Sequence, residues 1–322
     1  MNILMIPNPV VLGQLSDEHH AAMLDAAGPG SRVEVCRTLE EQLAFAPQAD
    51  IALGLIPREV YNAMPNLRYV QSLSAGVDSM MFPEFINSPV PLASEKGIVG
   101  NQLAEHAFGM LLAFTRKIKD LAPLEGWVED RAVFRRDMWE LSGMTMGVVG
   151  LGGTGLAVAK RAEAFGMRVL AVDVEEVAKP EFVAELTHAS RLNDMLAQSD
   201  VVVCCLPLTT DTKDLFDYER FTHFKRGSIL INVTRGEIVH EDGVVRALKE
   251  GILHSAGLDV TPREPLPGDS ELWAMPNVII GCHTAGGTPH RGQRAVDRFC
   301  RNLRRLRNGE PLEGLIDKQK QY

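Results

Sequence analysis

The stretch "MTMGVVGLGGTG", Met144 to Gly155, decides how this chain is read. An apolar run long enough for a buried strand ends in G-x-G-x-x-G, formed by Gly150, Gly152 and Gly155. A helix-like stretch, "LAVAKRAEAFG", follows, and then a second apolar run, "RVLAVD", that ends at Asp173. With 28 glycines in the chain the spacing alone is weak. The order strand, glycine turn, helix, strand, acid is specific. Such glycines allow a tight turn and a close backbone approach to a pyrophosphate seated on the helix N-terminus. Asp173 lies 23 residues after Gly150, near the distance at which an acid meets the adenosine ribose hydroxyls. Glu175 and Glu176 follow, and no arginine stands nearby to welcome a 2′-phosphate. NAD is favoured over NADP.

Outward from this unit the alternation continues. Six strands are expected near 145–149, 168–172, 201–206, 228–233, 255–259 and 277–281, with helical stretches such as "EDGVVRALKEG" between them. Before it, "NILMIP", "RVEVC", "ADIALGL", "LRYVQSL" and "VPLA" read as five further strands. Ser16 and Gly28 bracket a helix between the first two of these. "VGNQLAEHAFGMLLAFTRKIKDLA" has apolar residues at 103, 107, 110, 111 and 114 and predicts one long amphipathic helix. Repeated β-α-β units imply parallel sheets covered by helices, and 322 residues suit two of them. The fold class is α/β, two modules in series.

Composition narrows the function classes. Hydrophobic residues at 45% and charged residues at 23% are ordinary for a globular protein. A net charge of −9 argues against nucleic acid as the main partner. No apolar run is long enough to span a bilayer, and the N-terminus reads as a first strand, without the basic region of a leader. Five cysteines form no CxxC pair and no even framework, so a reducing, cytoplasmic setting is expected. One segment is basic: Arg294, Arg298, Arg301 and Arg305 fall at helical spacing and predict the solvated face of a C-terminal helix.

In an open parallel sheet, ligands bind beyond the carboxyl ends of the strands. After "SILINV" comes Thr234-Arg235-Gly236; after "SAGLD" comes "VTPREPLPG", with Asp259 and Glu264; after "VIIG" comes Cys282-His283. Three readings compete for His283: a core histidine bonded to backbone, a metal ligand, or a proton carrier. Metal ligation is disfavoured, since adjacent residues on a strand point to opposite faces and no further pair has ligand spacing. Metal is expected to be absent. Reduction of a 2-oxo acid needs a cation for the carboxylate and carbonyl, a role suited to the planar guanidinium of Arg235. It also needs a proton donor that titrates near neutrality, and a carboxylate such as Glu264 to orient it. Cys204 and Cys205, inside "VVVCCLP", read as core.

These residues together resemble the NAD-dependent D-2-hydroxyacid dehydrogenase family. "GVVGLGGTG", "CLPLTTDT", "NVTRGEIVHEDGVVRAL", "AGLDVTPREPLP" and "CHTAG" stand in the family's order, as does "AEHAFGMLLAFTR" before them. The resemblance implies Arg235 on the substrate carboxylate and carbonyl, His283 as acid/base and Glu264 as its partner. It implies Asp259 facing the nicotinamide, with Gly153, Thr154, Asp173, Pro207 and the backbone of Val233, Thr234 and Arg235 lining the cofactor. "SLSAGVDS" matches the family's substrate loop and places Ser74, Ala75 and Gly76 on the substrate; small residues after a strand also suit N–H contacts to an anion. The implied fold is two Rossmann-like, doubly wound domains with an interdomain cleft. Residues 1–99 plus 287–322 would form the substrate-binding domain, and 100–286 the NAD-binding domain. A homodimer is the family habit.

Three departures stand out. Gly153 replaces a common basic residue, His240 a common aspartate, which predicts a local capping change, and Thr261 a common aromatic, which predicts a wider loop. The expected reaction is hydride transfer between NAD(H) and a small 2-oxo or 2-hydroxy acid, D-specific by resemblance. Competing readings are a non-catalytic NAD-sensing corepressor of the same fold, which would carry long tails, and formate or phosphite oxidation. Formate enzymes usually have glutamine where Glu264 stands. In "GWVEDRAVFRRDMWE" Trp127, Trp139, Arg131, Arg135 and Arg136 share an irregular segment expected near a dimer interface. Met80, Met81 and Phe82 suit either an apolar substrate wall or core packing.

Overall fold

The computed structural model describes residues 1–322. The chain divides into two compact units, Met1–Val99 with Gly287–Tyr322, and Gly100–Gly286. No helix is long and apolar enough to cross a membrane.

The first unit is built on a five-stranded parallel sheet. Its strands are β1 (Asn2–Met5), β2 (Arg32–Val35), β3 (Ile51–Leu53), β4 (Tyr69–Gln71) and β5 (Leu92–Ala93), in the order β2-β1-β3-β4-β5. Ile3, Leu4, Met5, Ile51, Ala52 and Leu53 are all fully buried, so both faces of the central strands are covered. That is why these strands read as continuous apolar runs and not as alternation. The helix Asp17–Ala27 starts where Ser16 accepts the His19 N–H on its hydroxyl and stops at Gly28, whose φ of 91° ends the helix.

The C-terminal helix Arg291–Asn308 seals one face of this sheet with Phe299 and Leu303. A buried polar knot fixes its register: the Asn302 amide donates to the Tyr69 hydroxyl and to Gln71, and its oxygen accepts the Glu313 N–H. Here the structure corrects the reading of the arginine face. Arg298 is largely buried and donates to the carbonyls of Ser94 and Lys96, while Arg301 and Arg305 pair with Glu313. Arg294 and Arg301 stay exposed, as that reading expects. The cause is the C-terminal tail, which packs back along the helix and brings acceptors that spacing within the helix does not reveal.

The second unit holds a seven-stranded parallel sheet in the order β12-β11-β10-β9-β6-β7-β8. These strands are β6 (Thr145–Val149), β7 (Arg168–Asp173), β8 (Glu185–His188), β9 (Val201–Cys204), β10 (Ser228–Asn232), β11 (Leu253–Leu258) and β12 (Val278–Ile280). Six of the seven stand where apolar runs predict them. β8 was not expected: it is an edge strand that pairs only with β7, carries Glu-Leu-Thr-His, and has no fully buried residue. The strand order reverses between β6 and β9, the switch point at which such sheets bind ligands.

Register then does the positioning. Val172, Val149, Cys204, Asn232, Leu258 and Ile280 stand side by side across six neighbouring strands. The residues that follow each of them leave the same edge of the sheet. The long helix expected over 99–122 is shorter, Gly100–Thr115. Its end is set from outside: the Thr115 carbonyl accepts the Trp139 N–H, and Lys117 turns left-handed (φ 57°) before a one-turn helix, Ile118–Leu121.

Candidate active site

At the switch point each glycine of the turn has a distinct reason to be glycine. Gly150 has a φ of 90°, and a side chain there would strike the Cys205 carbonyl beyond β9. A Cβ at Gly155 would stand 2.0 Å from the Gly150 carbonyl oxygen. Gly152 differs: its φ is −73°, it is exposed, and a Cβ would meet nothing within 4 Å. The protein needs the first and third glycines for itself and keeps the second bare toward open space. The helix Gly153–Ala164 starts there without a side-chain cap, so its first N–H groups, from Gly153 and Thr154, remain for a ligand. Asp173 ends β7 with one carboxylate oxygen accepting the Leu151 N–H (2.7 Å) and the other accepting the Glu175 N–H (2.9 Å). Pro207 follows β9 at the same edge. The bare cradle, the uncapped helix start and the acid fit a dinucleotide.

This division of labour predicts opposite phenotypes. Gly155→Ala overpacks the turn and costs about 1–3 kcal/mol of stability, a loss of several degrees in Tm by calorimetry. Gly152→Ala leaves Tm unchanged and weakens NADH binding by about tenfold or more, since a methyl group enters the pyrophosphate approach. Equal Tm losses in the two variants would contradict this assignment.

Beyond β10, the buried Asn232 organises the turn that bears Arg235: its amide donates to the Arg235 carbonyl (2.8 Å) and its oxygen accepts the Thr234 N–H (3.2 Å). Val233 is buried, and Thr234 and Arg235 are part-exposed, the guanidinium donating to the Thr234 carbonyl at 2.8 Å. Beyond β11, Glu264 sits before a cis peptide bond to Pro265 and receives the Thr261 N–H on Oε1 (3.1 Å). Its other oxygen lies 2.8 Å from Nδ1 of His283. Nε2 of the half-exposed imidazole is thereby left free of that contact. Of the three readings of His283, its half-exposed ring excludes the core one.

The backbone at His283 corrects a detail of the sequence reading. Cys282 and His283 are not on a strand; both are left-handed, with φ of 54° and 56°. That conformation is uncommon for residues other than glycine and needs outside support. Asp259 supplies it. Only 1% exposed, it accepts the Thr284 and Ala285 N–H groups on its two carboxylate oxygens, each at 2.9 Å, and the His283 N–H on its carbonyl. Hydrogen bonds to an ionised group contribute about 1.5–3 kcal/mol each, enough to hold a two-residue left-handed turn.

Sequence reasoning gave no role to Asn232, to the Thr261 N–H or to His106, whose Nε2 lies 3.3 Å from Asp259. A polar residue on an otherwise apolar helix face was the available signal for His106. Thr261 is buried, its hydroxyl donates to the Arg263 carbonyl, and its N–H holds Glu264. His240 precedes the helix Glu241–Lys249 and makes no side-chain cap, the local change expected there. Cys204 and Cys205 are buried, and burial pushes both thiols well above their ordinary range, as core residues. Met80 lies in the core of the first unit, with Met81 and Phe82 packed against it.

In that first unit Ser74, Ala75 and Gly76 follow β4 and are part-exposed. The Ser74 N–H donates to the Ser72 hydroxyl and its carbonyl accepts the Glu95 N–H, whereas the Ala75 and Gly76 N–H groups bond to nothing else in the chain. Glu95 is itself buried and paired with Arg291 (2.7 Å). Burial raises its carboxyl above the usual range, against the pull of the guanidinium.

The family model described as "D-isomer specific 2-hydroxyacid dehydrogenase, NAD binding domain" matches residues 108–285. The chain belongs to this family. A glyoxylate reductase of Thermofilum pendens is 33% identical over 303 residues, covering 90% of this chain and 86% of that protein. Among solved structures, a D-isomer specific 2-hydroxyacid dehydrogenase family protein from Aeromonas salmonicida superposes with a TM-score of 0.82 at 30% identity, covering 98% of this chain and 99% of that one. An NADPH-dependent glyoxylate/hydroxypyruvate reductase from Sinorhizobium meliloti, solved with NADP and sulfate, gives 0.81 at 26% identity, covering 100% and 99%. This D-2-hydroxyacid dehydrogenase is thus an NAD-binding oxidoreductase acting on small 2-oxo and 2-hydroxy acids.

Proposed function

We propose that this dehydrogenase reduces the smallest 2-oxo acids, glyoxylate and hydroxypyruvate, to their 2-hydroxy acids, with His283 as acid/base. The observation that carries the chemistry is the 2.8 Å bond between Nδ1 of His283 and Glu264. It fixes the ring and sets Nε2 as the atom that gives a proton to the substrate oxygen. Arg235 holds the carboxylate and polarises the carbonyl. Ser74, Ala75 and Gly76 are the substrate-binding residues of the first unit, and the second unit holds NAD through Gly150, Gly152, Gly153, Thr154, Gly155, Asp173, Pro207, Val233, Thr234, Arg235, Asp259 and His283. When bound, the nicotinamide supplies the hydride. The names of the relatives and the small side chains of the substrate loop support a small substrate. Purified enzyme mixed with NADH and a panel of 2-oxo acids should consume glyoxylate and hydroxypyruvate fastest; preference for a branched or aromatic oxo acid would overturn this reading.

Asp173 sets the nucleotide preference. With both oxygens already holding backbone, it presents a fixed negative charge where a 2′-phosphate would stand. Asp173→Ala should raise KM for NADH about tenfold or more, the worth of a charged hydrogen bond, and narrow the gap between NADH and NADPH. Steady-state kinetics with both nucleotides tests this, and an unchanged preference contradicts it.

The finer setting is a cytoplasmic homodimer. Free cysteines suit a reducing compartment. Exposed Ile118, Leu124, Trp127 and Val133 stand near the exposed Arg131, Arg135 and Arg136 and suit a partner surface, whereas Trp139 is part-buried against the core. Light scattering reads the mass.

A further inference from the structure

We propose that His106 is a positioning residue for the reaction, acting through Asp259 on the turn that carries His283. The inference rests on the reading of His283 as acid/base. Asp259 is a buried carboxylate, and His106 is the one side chain with a cationic form that it meets. Removing water from a carboxylate is costly unless a partner offsets it. Nε2 of His106 lies 3.3 Å from Oδ1 of Asp259, is buried, and makes no well-aligned hydrogen bond to Asp259 or to any other group. Such bonds are often loose without substrate and tighten when it binds.

The chain also reserves space for this pair. A Cβ on Gly281 would stand 2.3 Å from Oδ1 of Asp259 and 2.9 Å from Nε2 of His106. Glycine at the end of β12 leaves that side of the carboxylate to the imidazole. Without His106 one side of the buried carboxylate faces no partner, and the carboxylate is free to rotate. Rotation takes an acceptor from the Thr284 or Ala285 N–H, the two bonds that hold the left-handed turn at Cys282 and His283. The imidazole of His283 then drifts from its place against Glu264. A displacement of about 1 Å in a reacting group lowers rates by up to about 10²-fold.

The experiment compares His106→Leu, His106→Gln and His283→Ala in the full-length enzyme, with glyoxylate and NADH as substrates. Glutamine is the conservative variant, because its amide N–H reaches the position of Nε2. We expect His106→Leu to lower kcat about tenfold or more with KM for NADH within about twofold, and His106→Gln to recover kcat to within about threefold of wild type. A kcat for His106→Leu within about twofold of wild type overturns the proposal. So does a loss of kcat that glutamine fails to restore, whether or not Tm falls. His283→Ala separates the two levels: if it still turns over, the acid/base reading itself fails, whatever the His106 variants do.

Discussion

His283→Ala loses turnover by about 10²–10⁴-fold, the range that a positioned acid/base contributes, while KM for NADH stays close to wild type. The split follows from the structure. The imidazole is tied to Glu264 and carried on a turn held by Asp259, so its removal takes away a proton donor and leaves the glycine turn, Asp173 and Arg235 in place. Glu264→Gln keeps the shape of the contact but loses its charge, and should fall between the two enzymes. Comparable kcat values for His283→Ala and wild type would remove His283 from the reaction.

Arg235→Ala loses about 2–5 kcal/mol of transition-state stabilisation, roughly 30- to 1000-fold or more in kcat/KM. Unlike the histidine variant it should raise KM for the oxo acid as well as lower kcat, because the same guanidinium meets both the carboxylate and the carbonyl. Arg235→Lys restores the charge but not the planar fork, so it should recover only part of the loss. The turn itself should survive, since Asn232 holds it through the backbone of residues 234 and 235 and not through the guanidinium. Steady-state kinetics together with circular dichroism test this. An Arg235→Ala enzyme with a wild-type KM for glyoxylate would reassign the carboxylate contact.

Much of the architecture is legible because it depends on local rules. Buried parallel strands must be apolar on both faces, so most of the twelve show as apolar runs; edge strand β2 shows by alternation instead, and β8 does neither, because one paired neighbour and solvent on its other edge ask little of its side chains. Ser16 and Gly28 bound their helix through bonds within a few residues. The end of the long helix at Thr115 was missed because its partner, Trp139, lies far along the chain. Arg298 and Arg305 on the last helix were misread for the same reason. Glu313 and the carbonyls of Ser94 and Lys96 are brought to it by folding, and a charge run alone looks the same whether solvated or anchored.

The sequence by itself determined the chemistry on offer: a glycine turn with its acid, an arginine, a carboxylate and a histidine after successive strands. Residue type and spacing suffice for that, because strand ends follow from apolar runs and ligand types follow from reaction chemistry. Tertiary structure alone decided how those groups are held. The six-strand register sets them on one edge, Asp259 stabilises a left-handed turn that no propensity predicts, and Thr261 and His106 supply contacts from elsewhere in the fold. The physical reason is that a short charged or hydrogen-bonded contact depends on distances of a few ångströms between segments far apart in the chain, and only packing sets those.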